Sequence, residues 1–140
     1  MKIAIFIAII ASLQSVLSFS TGAPAVACSD LRPNHQPNIP QTGPPPFSVL
    51  VSSSNIQPGQ TVSILIDSTV EFRGFLVQPR VVGAVPIQSP GTFMSSPTSQ
   101  NLGCHGGVMN SATHITNGVR TSQTIVWSAP TNFSGRIRFQ

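Results

Sequence analysis

Glu71-Phe72-Arg73-Gly74-Phe75-Leu76-Val77-Gln78 sets a charge pair, a glycine and two aromatic rings inside what otherwise reads as one β-strand. Strand interiors avoid glycine because it packs nothing and loses the most entropy on ordering. Gly74 therefore marks a bulge or a close approach of another group to the backbone. Glu71 and Arg73 lie two apart, so their side chains share a face opposite Phe72. Two readings of the pair stand: a surface ion pair worth about 0–1 kcal/mol, or a forked donor at Arg73 for an anionic ligand.

Working outward, the period of two persists. On the amino-terminal side Phe47, Val49 and Val51 alternate with Ser48 and Ser52 around Leu50. A Pro58-Gly59 turn follows, and then Val62, Ile64 and Ile66 share one face against Thr61 and Ser63. A turn is read between Asp67 and Glu71, and the strand Phe72 to Gln78 is read as ending at Pro79, with Val81 to Val85 as an edge piece. On the carboxy-terminal side Thr92-Phe93 sits between proline and glycine breaks, and Ser95 to Gly107 reads as loop. Gln123 to Ser128 puts Ile125 and Trp127 on one face; Gly135 to Gln140 turns Ile137 and Phe139 inward and Arg136, Arg138 and Gln140 outward. No window holds a helical period with start and stop signals. The expectation is an all-β chain, a sandwich whose core gathers Val49, Ile64, Phe75, Trp127 and Ile137. Trp127, the only tryptophan, is expected in that core rather than as a sugar-stacking platform.

Ahead of the strands, Thr21 to Pro46 carries Pro24, Pro33, Pro37, Pro40 and Pro44-Pro45-Pro46. Proline fixes its own φ and lacks a donor, so this Pro-rich arm is expected to be extended and tied down mainly through Cys28. Before it, Lys2, the apolar run Ile3 to Ala11 and small residues at Ser18 and Ser20 have the three regions of a cleavable secretory signal, residues 1–20, with cleavage after Ser18 or after Ser20. The run is shorter than the roughly 20 apolar residues that span a bilayer, so no stable membrane insertion is expected. Residues 21–140 then form a single domain, since about 120 residues build one core and not two.

Without Lys2, six arginines stand against Asp30, Asp67 and Glu71, so the formal charge is 6 − 3 = +3. The arginines are scattered, which together with export argues against a nucleic-acid partner. Arg73 with Arg80, and Arg136 with Arg138, are the candidate binding pairs for anionic groups on a polymer. An exported chain with two cysteines reads as one disulfide, Cys28 to Cys104. A metal site from Cys104-His105 with His35 or His114 competes with it, but a disulfide consumes the sulfur, and no metal or cofactor is expected. Asn132-Phe133-Ser134 is an N-glycosylation sequon in a turn-rich segment. No serine lies in a nucleophile-elbow setting, the histidines are far apart, and Asp67 with Glu71 makes a poor glycosidase pair four residues apart. No catalytic residue is assigned.

Taken with Cys28, Pro33, His35, Pro58-Gly59, Gly91-Thr92-Phe93, Cys104, Thr113-His114 and Trp127-Ser128-Ala129-Pro130, the stretch EFRGFLVQ resembles the reelin-type (Reeler) domain. In particular the chain is similar to small secreted insect defence proteins made of one such domain, over nearly all of its length after the leader. The resemblance implies an immunoglobulin-like antiparallel β-sandwich. It also implies a secreted, non-enzymatic innate-immunity protein with antimicrobial activity, or recognition of bacterial surfaces or haemocytes. The alternative it implies is an amino-terminal extracellular module of a larger matrix or ferric-reductase-like membrane protein. Members of the family run on for another strand past the segment matching Arg136 to Gln140, so a missing carboxy-terminal strand and an open edge are expected here. His35 and His114 match positions characteristic of the pattern, with buried hydrogen bonding beside the disulfide as their expected role.

Overall fold

Nine strands account for nearly all the regular structure of the computed structural model, which describes residues 19–35 and 37–140. They are β1 (Phe47–Val51), β2 (Thr61–Phe72), β3 (Leu76–Val77), β4 (Pro79–Val81), β5 (Thr92–Met94), β6 (Ser99–Leu102), β7 (Ser111–His114), β8 (Arg120–Ser128) and β9 (Ile137–Phe139). One sheet has the order β1-β2-β8-β5; opposite lie the sheet β3-β7-β6 and the two-stranded ribbon β4-β9, every pairing antiparallel. The leader read at residues 1–20 lies outside the described residues up to position 18.

The core lies between the sheets, on the inner faces of β2, β5 and β8. Val62 and Ile64 of β2 are fully buried opposite Trp127 and Ile125 of β8, and Phe93 of β5 sits across from Trp127 on the other side. Each aliphatic side chain so buried contributes about 1.5–3 kcal/mol relative to exposure. The Trp127 indole donates from Nε1 to the Pro90 carbonyl at 3.1 Å and meets the Phe139 ring edge to face at 5.3 Å. Gly91 lies flat against it at φ +76°, and a Cβ there would stand 2.5 Å from the indole. Ile137 and Phe139 pack inward with Arg138 outward, as read.

Several segments differ from the sequence reading. The expected turn between Asp67 and Glu71 is a bulged continuation of β2, whose register shifts between Asp67 and Phe72 while the strand runs on. EFRGFLVQ is consequently no single strand: Phe72 ends one sheet, Arg73-Gly74-Phe75 turns the corner, and Leu76-Val77 pairs with β7 in the other. Pro79 begins β4 instead of ending a strand, and the edge piece stops at Val81. Val49 is not core; β1 is an edge strand hydrogen-bonded to β2 alone, with Val49 49% and Leu50 57% exposed. Within the expected loop Ser95 to Gly107, Ser99–Leu102 forms β6 against β7. No strand was read at β7 because Ser111-Ala112-Thr113-His114 has no apolar alternation; it is buried on both faces and its polar groups are bonded inside.

Candidate functional site: an arginine ribbon and a groove beneath the arm

The arm is held at several points. A short 3-10 helix, Ala25–Cys28, delivers Cys28 to Cys104, with Cα atoms 5.6 Å apart and sulfurs bonded. Beside the disulfide His105 Nε2 lies 3.0 Å from the Cys28 carbonyl, and Arg80 Nη2 donates to the same carbonyl at 2.8 Å and to that of Ser29 at 3.2 Å. On the other side of the disulfide one amide does the work of a strand partner. Asn110 Oδ1 accepts from the Cys104 N–H at 2.8 Å, while its Nδ2 donates to the carbonyls of Cys104 and Ser89. Further up the arm, Thr113 Oγ1 accepts from the Ala23 N–H at 2.9 Å, and Gln100 Nε2 donates to the Thr21 carbonyl. Sequence reasoning gave Asn110 and Gln100 no role and named His105 only in a competing metal set, because which main-chain atoms they hold is set by the fold.

The histidine assignments change accordingly. His35 is exposed on the arm. His114 is buried, but at the Gly74 corner and not beside the disulfide. Its Nδ1 accepts from the Phe75 N–H at 3.2 Å, which assigns the hydrogen to Nε2, where it is donated to the Phe19 carbonyl at 3.1 Å. A Cβ on Gly74 would stand 2.7 Å from the imidazole Cε1, so the close approach read from the strand glycine is made by His114.

The four arginines sort differently from their spacing. Arg73 and Arg80 are not brought together: Arg73 Nη1 donates to the Asn117 carbonyl at 3.2 Å, away from Glu71, while Arg80 is half-buried and holds Gln78 Oε1 at 2.7 Å as well as the arm. Arg80 instead lies opposite Arg138 across the β4–β9 ladder, and the two line a shallow cavity of about 190 Å³ with Gly83, Ala84 and Gln140. Arg136 and Arg138 are both exposed. Arg120, not singled out from the sequence, donates to the Thr116 and Gly118 carbonyls and sets its guanidinium 5.9 Å over the Phe75 ring.

A larger groove of about 700 Å³ runs between the arm and the corner residues Arg73 to Leu76. Asp67 and Glu71 are exposed on β2 and line neither cavity. Among the described residues no three His, Cys, Asp or Glu side chains converge, and no helix is long and apolar enough to cross a membrane. Asn132 is exposed in a turn closed by Phe133 N–H to the Pro130 carbonyl at 3.1 Å.

The model of the Reeler domain family matches residues 26–140. The chain belongs to that family. This Reeler domain is similar to "Putative defense protein Hdd11" of Hyphantria cunea, 31% identical over 146 residues that span 97% of this chain and 83% of that protein. It is also similar to "Putative ferric-chelate reductase 1" of Danio rerio, 32% identical over 128 residues; there the match spans 89% of this chain but 22% of the longer protein. The crystal structure of the human F-spondin reeler domain superposes with a TM-score of 0.60 over 81% of this chain and 82% of that one, at 20% identity. The fold is therefore shared with the F-spondin domain, and the sandwich expected from the sequence is the Reeler sandwich.

Proposed function

We propose that this Reeler domain is a secreted, non-catalytic defence protein that recognises anionic polymers of bacterial surfaces. The observation that carries the reading is the β4–β9 ribbon, which presents Arg138 to solvent across from Arg80, with exposed Arg136 directly ahead of β9. Guanidinium groups hold carboxylate and phosphate through paired donors. Similarity to defence proteins over most of both chains supports the same role.

Binding of the disulfide-intact domain to bacteria, lipopolysaccharide, peptidoglycan and β-glucan tests it. Exposed charge contacts are worth about 0–1 kcal/mol each, so Arg136→Ala with Arg138→Ala is expected to weaken binding roughly tenfold with an unchanged melting curve. Added salt should weaken the wild type in the same way, because the Debye length is about 8 Å at physiological strength. Binding indifferent to both changes rules the mechanism out. Arg80 is a poor choice for this test, since its guanidinium clamps the arm.

Export is part of the proposal. The Phe19 carbonyl accepts from buried His114 at 3.1 Å, a bond that cleavage after Ser18 keeps and cleavage after Ser20 removes, which favours the former. Intact mass of the secreted protein is expected to give Phe19 as the first residue; a chain beginning at Thr21 refutes that choice. A second reading, an extracellular module of a larger protein, is favoured by the match to about a fifth of the zebrafish reductase. Transcript sequence downstream of Gln140 separates the two.

A further inference from the structure

We propose that the groove beneath the arm is a binding site for single-chain amphipathic anions: molecules with an acyl body and one carboxylate or phosphate head. This goes beyond the arginine ribbon, and no residue is shared between the two cavities. At about 700 Å³ the groove lies within the range of small-molecule sites, roughly 300–1,000 Å³. Its lining is mostly apolar: Val26 and Leu31 come from the arm, Phe75 and Leu76 from the corner. Val26 is 80% exposed although apolar, on a segment fixed through the neighbouring disulfide.

The polar groups select the head. Arg32 and Arg73 line the groove against one carboxylate, Asp30, which accepts from the Arg32 N–H at 3.0 Å. Arg73 spends one nitrogen on the Asn117 carbonyl, which orients a guanidinium that still has donors to offer. The His114 nitrogens are both engaged, so the imidazole forms a wall and not a ligand. Other occupants fit less well. Sugar sites rely on aromatic platforms, whereas this chain has no tyrosine and its tryptophan is buried. A peptide adding to the sheet needs an edge, and β3 beside the groove is two residues long.

The test is displacement of a fluorescent acyl probe from the disulfide-intact chain by alkanoates of eight to sixteen carbons, matched alkyl phosphates and matched alcohols, all below their micelle concentrations. Acids and phosphates are expected to compete, gaining up to about fourfold in affinity per buried methylene, and the alcohols to bind about tenfold more weakly. Arg73→Ala should erase the difference between acid and alcohol while leaving the alcohol unchanged. Val26→Glu, a surface change, should weaken every compound. Arg136→Ala with Arg138→Ala should alter none of these values, so failure here is distinguishable from failure of the ribbon mechanism. No competition by any acyl compound, equal affinity of acid and alcohol, or an unaltered acid affinity in Arg73→Ala overturns the proposal.

Discussion

Trp127→Ala is expected to cost about 3–5 kcal/mol, the usual range for removing a buried aromatic ring. The ring is completely buried between the sheets and is contacted by Phe139 at 5.3 Å. Its surroundings have little room to collapse, because Gly91 closes on the indole through its backbone, which β5 holds in register with β8. A domain of this size should melt roughly 10–20 °C lower. Trp127→Phe keeps most of the apolar area and strands only the Pro90 carbonyl, so it should retain more than half of the lost stability. Thermal melts followed by circular dichroism measure both. A loss under about 1 kcal/mol for the alanine variant contradicts the placement of this ring at the centre of the core.

Replacing both Cys28 and Cys104 by alanine should be nearly as damaging. The bond closes a loop of 76 residues, for which chain entropy alone gives about 4–5 kcal/mol, within the range of about 2–5 kcal/mol for native disulfides of secreted domains. Both cysteines are buried, and the Cys104 backbone is fixed through Asn110. Urea unfolding with and without reductant gives the number. Reduction is also expected to abolish amphiphile binding at denaturant-free concentrations, since the arm is one wall of the groove. Coincident unfolding midpoints in the two conditions are incompatible with this role.

What was legible in the sequence follows the reach of each signal. β2 and β8 alternate because one face of each meets the core, and Val62, Ile64, Ile125 and Trp127 could be read from that period alone. Gly74 was legible as a close approach, but the partner, His114, lies forty residues away and nothing local names it. β7 was illegible because burial on both faces with small polar residues leaves no alternation, its satisfaction coming from Phe75, Gln78 and the arm. β1 misled in the opposite sense: alternation predicts a pleated strand, and it forms one, but an edge position leaves its apolar side chains exposed. Arginine pairs read by spacing along the chain gave way to a pair set by cross-strand register, Arg80 with Arg138. Charge proximity on a sheet depends on which strands are neighbours, and that is a property of topology.

Every clamp on the arm grips the main chain. Arg80 and His105 hold the Cys28 carbonyl, His114 that of Phe19, Gln100 that of Thr21, and Thr113 the amide of Ala23. Val26, Leu31 and Arg32 contribute no side-chain hydrogen bond to that hold, whereas Ser29 and Asp30 brace the segment from within. Val26 and Arg32, both exposed, can be exchanged while the path of the chain stays put, much as a lock keeps its housing when its pins are recut. The fold thereby separates durability from selectivity: new ligand preferences are reachable by substitutions at exposed groove positions such as Val26 and Arg32 without loosening the arm.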